Sequence, residues 1–313
     1  MVIMEYKIIE KITPGGSDRI FYRCLVENNE TCILVWDQNI RDYLKLQRHL
    51  YDRGISVPDV HWADEKSNLL LIEDLGDDSL YKLSKKRRNK YPIYRAAINE
   101  LVKLQIDGYP GVPISLYYDY KHIKWEQDYF KKHFLNQFCG LPRKKIKKID
   151  GELERLAEEL LKKARPWNNF LMHRDYQSQN IYIKKRKAKI IDFQSARIGP
   201  LTYDLTSLLK DAYVVIKKEE ERTLINYYLD CLAKKRVRVK KREFVNLYHL
   251  TGLQRNMQAL GAFANLSLNK NKSQFKEYIP RGLELLQDGL KKVGYDRLYE
   301  CVTDPEVCEK CRF

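Results

Sequence analysis

The sequence has no long apolar run: its uninterrupted hydrophobic stretches, such as Cys32 to Trp36, are strand-sized. A membrane-spanning helix needs ~18 such residues, so no membrane is expected as a partner. There is no internal repeat, and the apolar share of 44% excludes disordered and collagenous chains. Cysteine is sparse, seven in all, odd in number and irregularly spaced. No export signal accompanies them, because Met1 to Lys11 carries Glu5 and Lys7 inside its apolar stretch. Reduced thiols in the cytoplasm are therefore expected. Zinc-finger and RNP-type patterns are also missing.

What is present is charge. Lys and Arg number 58 against 42 Asp and Glu, a net +16 over 313 residues. The excess concentrates in four runs, Lys85 to Lys90, Arg143 to Lys148, Lys184 to Lys189 and Lys234 to Arg242, with which aromatic residues interleave poorly. Such runs read as solvated turns and helix faces, so nucleic acid is not an expected partner. A basic surface still raises encounter rates with anionic ligands such as nucleotides.

The first ~75 residues read as strands. Tyr6 to Ile12 ends at the breaker Thr13-Pro14-Gly15-Gly16, and Arg19 to Val26 and Thr31 to Trp36 flank a polar turn. A helix follows, with Ile40, Tyr43, Leu44, Leu50 and Tyr51 on one face and Gly54 as its cap. Two further strands follow Pro58, the second Leu69 to Ile72, giving the order β-β-β-α-β-β. Beyond Gly76 the pattern turns helical. An apolar stripe from Ile146 through Leu153, Leu156, Leu160 and Leu161 stops at Pro166, and more helices are expected near 93–106, 122–138, 204–213, 219–232, 243–265 and 280–292. One island, Phe170 to Phe193, holds two short strands, Ile181 to Ile183 and Lys189 to Ile191. Early strands and late helices indicate an α+β chain with two unequal lobes.

The island carries the chemistry. It reads His173-Arg174-Asp175, four residues, Asn180, a short hairpin, then Asp192-Phe193. Protein-kinase-like phosphotransferases use this arrangement. Transfer of a γ-phosphoryl group uses Mg²⁺ held between phosphates by oxygen ligands. Asp192 offers a carboxylate and Asn180 an amide oxygen, converging from opposite ends of the hairpin. Asp175 is aimed by its loop at the acceptor hydroxyl, to orient it and take its proton late. Between the first two strands, Gly15, Gly16, Ser17 and Asp18 stand where a glycine-rich loop covers the nucleotide phosphates. Glu73 to Leu75 falls where main-chain groups meet an adenine edge.

These residues identify a resemblance. The chain resembles the aminoglycoside phosphotransferase/choline kinase superfamily, with a bilobal protein-kinase-like fold. Within it the chain is most similar to sugar kinases of the anomeric N-acetylmuramate/N-acetylglucosamine type. The resemblance rests on Gly16-Ser17-Asp18-Arg19, Leu71-Ile72-Glu73-Asp74-Leu75-Gly76, His173-Arg174-Asp175, Ile191-Asp192-Phe193-Gln194-Ser195 running on to Tyr203-Asp204-Leu205, and Gln254-Arg255-Asn256. It implies ATP- and Mg²⁺-dependent phosphorylation of an amino sugar to a sugar 1-phosphate for cell-wall recycling. Asp175 would be the base, Asn180 and Asp192 the metal ligands, and His173 and Asp204 supports of the catalytic loop. Arg255 is a candidate partner for a substrate carboxylate. Residues 1–76 would form the nucleotide-binding lobe, 77–296 the catalytic and substrate-binding lobe, and 297–313 a Cys-containing tail.

One departure stands out. Protein kinases hold the α/β-phosphates with a third-strand Lys, but here the strand reads Cys32-Ile33-Leu34-Val35-Trp36-Asp37. Arg19 or Arg23 could replace it. That lack is the strongest argument for one alternative, a catalytically inactive pseudokinase; the other alternative is an aminoglycoside- or choline-type alcohol kinase. In the tail, Cys301, Cys308 and Cys311 are one thiol short of a four-ligand zinc site.

Overall fold

The computed structural model describes residues 6–12, 19–27 and 29–311. Packing divides the chain into two units, Met1–Ile114 with Gln179–Ser195, and Ser115–Ser178 with Ala196–Phe313.

The first unit opens with β1 (Tyr6–Ile12), β2 (Ile20–Val26), β3 (Thr31–Trp36), α1 (Ile40–Asp52), β4 (Val60–Asp64) and β5 (Leu69–Glu73), followed by α2 (Leu80–Lys86) and α3 (Tyr91–Ile106). The strands form one antiparallel sheet in the order β1-β2-β3-β5-β4. β3 is central because Cys32 through Val35 is apolar without alternation, which suits burial on both faces. β1 lies at the edge, where Lys7, Glu10 and Lys11 are exposed and discourage pairing with another chain. In α1 the buried stripe is Ile40, Tyr43, Leu46, Gln47 and Leu50. Leu44 is only half-buried and Tyr51 is exposed, since 100° per residue carries them off that face.

The second unit contributes α4 (Tyr120–Tyr129), continued as a wider helical segment Phe130–Phe138, then α5 (Arg143–Ile146), α6 (Asp150–Ala164) and β6 (Phe170–Met172). The chain then enters the first unit as the hairpin β7 (Ile181–Lys184) and β8 (Lys187–Ile190). It returns as β9 (Arg197–Gly199), α7 (Leu201–Leu209), α8 (Lys218–Lys234), α9 (Lys241–Asn269), α10 (Ile279–Val293), α11 (Asp296–Val302) and α12 (Pro305–Lys310). α9 is the axis of this unit, burying Leu247, Leu250, Leu253, Met257, Leu260 and Ala264. α6 ends two residues before Pro166, which falls in the following 3₁₀ turn. β6 pairs with β9, where a Cβ on Gly199 would lie 2.9 Å from Tyr118 Cβ. Only glycine lets these backbones approach so closely.

The division by packing differs from the boundary read at residue 76. α2, α3 and the β7–β8 hairpin join the sheet's unit, tied by Ile190 N–H to Ser56 O at 2.9 Å and Ile183 N–H to Asp78 O at 3.0 Å. The Cys-containing tail is no loose appendage in the second unit, for Leu298, Val302, Val307 and Cys311 are buried.

Candidate functional site

In the first unit the hairpin sets the two expected metal ligands at one end. Ile181 pairs with Ile190, so Asn180 lies opposite Ile191, whose N–H donates to Asn180 O at 3.0 Å. The strand therefore stops one residue earlier than its apolar pattern suggests, and Asp192 follows at once. Asp192 adopts φ +67°, a left-handed conformation that an aspartate tolerates better than most residues. Phe193 is buried and stacks on Tyr43 with centroids 5.0 Å apart, which anchors the turn. The Asp192 carboxylate accepts from Gln194 Nε2 at 2.7 Å and is ion-paired with Arg19.

That ion pair involves one of the two arginines expected to stand in for the missing lysine. The β2–β3 register ends with Ile20 opposite Trp36, and Arg19 and Asp37 are the residues just beyond it. Asp37 is buried and lies 3.8 Å from the Arg19 guanidinium. A cation from the residue before β2 thus stands beside the end of β3, bridging Asp37 and Asp192. Arg23, the other candidate, is committed to Asp74 at 2.7 Å, with Glu10 and Asp77 nearby. Glu73 spends its carboxylate on Lys184 at 3.0 Å and on Lys189. Two lysines of a run read as solvated are therefore ion-paired. Leu75 is half-buried in the extended segment after β5. Gly15, Gly16, Ser17 and Asp18 lie outside the described residues. Replacing Arg19 by Ala is expected to weaken nucleotide affinity and turnover roughly 10- to 100-fold, the scale of one or two charge-assisted hydrogen bonds. Unchanged nucleotide titrations and rates would remove Arg19 from this role.

The second unit holds Asp175 and its supports. Asp204, fully buried on α7, accepts the N–H of His173 at 2.7 Å and of Arg174 at 2.8 Å. Arg174 is held at φ +79°, a conformation costing about 1–2 kcal/mol for a residue with a Cβ. Its guanidinium lies over the Trp125 ring, 5.5 Å from the centroid. Buried Asp211 fixes the far side of the loop by accepting Ser178 N–H at 2.8 Å. The loop containing Asp175 is thus braced by two carboxylates, Asp204 on α7 and Asp211 just beyond its C-terminal end. The sequence reading included Asp204 and missed Asp211; the spacing from Asp204 was the available signal.

Asp175 is 31% exposed along its side chain, and Arg255 lies 3.9 Å away. Arg255 itself is buried, with hydrogen bonds to Gln258 at 2.8 Å and to Ser207 and Gln177 at 3.3 Å. The arginine read as a candidate substrate partner therefore faces the candidate base. Glu126, also unread in the sequence, is fully buried and accepts from Tyr118, Tyr203 and Gln254 at 2.9–3.0 Å. Burial opposes its charge, but contacts with His122 and the charge of Arg174 hold its carboxyl below the usual range.

Burial pushes the Asp204 carboxyl up to about 7, against the two backbone N–H groups that favour its charge. Only the ionised form offers both oxygens as acceptors, so turnover is expected to fall as pH drops through about 7. The stability sign is opposite. A carboxyl raised above its unfolded value of about 3.9 loses stability as pH rises from there to about 7, and the loss is constant above. Asp204→Asn should abolish both dependences, as read from kcat against pH and from denaturation midpoints across the same range.

A divalent metal is tested by the donor set. Asn180 and Asp192 supply oxygen, which suits a hard cation, and both sit at one hairpin end. Mg²⁺ is commonly held by one or two protein ligands, with phosphate and water completing the octahedron. Among the described residues no three His, Cys, Asp or Glu side chains stand in a metal-holding group. The pair fits Mg²⁺ bound with a nucleotide rather than in a protein cage.

A small antiparallel sheet, a mainly helical remainder and a His-Arg-Asp loop braced from a helix define the protein-kinase-like class of phosphotransferases. Residues 33–238 match the family model described as a phosphotransferase enzyme family, and the chain belongs to that family. It is similar to the N-acetylmuramate/N-acetylglucosamine kinase of Pseudomonas aeruginosa, 24% identical over 90% of this chain and 84% of that one. It is 27% identical to the enzyme of the same name from Neisseria meningitidis, over 86% and 82% of the two chains. A choline/ethanolamine kinase family protein from Mesorhizobium loti shares the fold, with TM-score 0.65, 14% identity and coverage of 94% and 92%. The chain is an ATP-dependent kinase. Among the described residues no helix is long and apolar enough to cross a membrane.

Proposed function

We propose that the chain phosphorylates an amino sugar of the N-acetylmuramate/N-acetylglucosamine type at its anomeric hydroxyl, giving a sugar 1-phosphate. The observation that carries this reading is the loop in which Asp204 and Asp211 fix the backbone on both sides of a partly exposed Asp175. The shared name of the two bacterial relatives supports the substrate class.

In this reading the anomeric oxygen forms a bond to the γ-phosphorus, the bond to the β-phosphate oxygen breaks, and the hydroxyl proton passes to Asp175. Anomeric hydroxyls are more acidic than other sugar hydroxyls, so a carboxylate of ordinary strength suffices. Asn180 and Asp192 would hold Mg²⁺, which neutralises charge on the β- and γ-phosphate oxygens. Arg19 adds positive charge beside Asp192, and Arg255 orients Asp175 or meets an acceptor carboxylate. Residues 1–76 supply nucleotide contacts, with Gly15, Gly16, Ser17, Asp18, Glu73 and Leu75 in that role, and 77–296 supply catalytic and acceptor contacts. ATP dependence and the free thiols favour the cytoplasm, and the product suits reuse of cell-wall sugars.

A Mg·ATP screen against N-acetylmuramate, N-acetylglucosamine, other free sugars, an aminoglycoside and choline tests the reading. Acid-labile phosphate with loss of the reducing end is expected from the amino sugars. Turnover confined to choline or the aminoglycoside would overturn it.

A further inference from the structure

Two half-buried arginines of the second unit, Arg174 and Arg197, are left with unspent donors. Arg197 lies on β9 directly opposite Met172 of β6, and Arg174 follows Met172 by two residues. Cross-strand partners share a face, and so do residues two apart along a strand. The face of β9 that bears Arg197 therefore also bears Gly199, whose Cβ position is 2.9 Å from Tyr118 Cβ. From Tyr118 a series of ring contacts leads back to Arg174. Tyr118 meets His122 edge-on at 5.4 Å, His122 stacks on Trp125 at 5.5 Å, and the Arg174 guanidinium lies over Trp125 at 5.5 Å.

Neither arginine is matched by an acid. Arg197 Nε is buried with no hydrogen-bond partner, and among the described residues neither guanidinium is ion-paired. Glu126 offsets part of their charge, but its oxygens are taken by Tyr118, Tyr203 and Gln254. Asp119 spends an oxygen on the His122 N–H at 2.8 Å, capping α4. Trp125 restrains Arg174 without consuming one of its N–H donors. Burial and the charge of Arg174 hold the Arg197 guanidinium below its usual value. An anionic ligand would relieve both costs. Arg255 differs, because its three nitrogens already serve Ser207, Gln258 and Gln177.

We propose that Arg174 and Arg197 form a receptor for a carboxylate on the acceptor, so that an acidic amino sugar is preferred to its neutral counterpart. This rests on the amino-sugar reading above and adds which of the two named sugars is selected. N-acetylmuramate carries a lactyl carboxylate that N-acetylglucosamine lacks. Arg174 is the residue before Asp175, so the receptor and the candidate base adjoin along one loop. A guanidinium fork matches the two oxygens of a carboxylate. A neutral sugar leaves those donors unmatched, which is how a polar site discriminates against an analogue lacking the polar group. Arg255 is left with the orientation of Asp175.

The test compares kcat/KM for N-acetylmuramate and N-acetylglucosamine under saturating Mg·ATP in the wild type, Arg197→Gln and Arg197→Lys. Arg197 is the residue to change, since Arg174 adjoins the base. The wild type is expected to prefer the acid roughly 10- to 100-fold, the scale of charge-assisted hydrogen bonds. Arg197→Gln should remove most of that preference, chiefly through KM for the acid. Arg197→Lys should restore part of it, returning the charge without the fork. Should the variants fail to fold, the carboxamide of N-acetylmuramate gives the same answer on the wild type, where it should lose the advantage of the free acid. Equal kcat/KM for the two sugars, equal kcat/KM for acid and carboxamide, or an unchanged ratio in a folded Arg197→Gln would overturn the receptor and leave the amino-sugar kinase in place. Turnover of neither sugar would overturn both.

Discussion

Asp175→Asn is expected to lower turnover by roughly 10³-fold while nucleotide binding stays within about twofold. Asparagine preserves the size of the side chain and can still orient a hydroxyl, but it cannot take the proton. The loop should survive the change, because Asp204 and Asp211 brace it through the backbone N–H groups of His173, Arg174 and Ser178. Arg255 would keep its bonds to Gln177, Ser207 and Gln258. Steady-state kinetics with calorimetric ADP titration separate the two effects. Near-wild-type turnover would remove Asp175 as the base, and loss of ADP binding would mean that the change had disturbed more than proton transfer.

Asp192→Ala should reduce turnover by about 10³-fold or more and flatten the dependence of the residual rate on Mg²⁺ concentration. Two costs combine here. The carboxylate assigned to the metal disappears, and Arg19 loses the partner that fixes it beside Asp192. Asp192→Asn is the informative control. It tolerates φ +67° about as well as aspartate and keeps one oxygen, so a partial loss with a raised Mg²⁺ requirement is expected. Normal rates with an unchanged metal dependence in Asp192→Ala would end the assignment.

Much of the fold was legible in particular residues. The apolar run Cys32 to Val35 marks a central strand, and Pro166 marks the end of α6, because period, propensity and breakers act over a few residues. The misses are short elements, β6, β9, α2, α11 and α12, and edges: β8 stops at Ile190 because its partner strand begins at Ile181, a constraint set by pairing. Of the candidate site, His173, Asp175, Asn180 and Asp192 were readable as a spacing. Asp37 and Glu126 were not, since an isolated acidic residue gives no hint that it will be buried, and Asp211 needed the position of Asp204 as a guide.

The sequence by itself determined the β-β-β-α-β-β order of the first unit, the family, and the spacing of the side chains proposed for phosphotransfer, because each depends on neighbours close along the chain. Tertiary structure alone decided that Arg19 meets Asp192 and that Asp211 caps the Ser178 amide. Those pairings join residues tens to hundreds of positions apart. They are fixed by how sheets and helices pack, which no local spacing encodes.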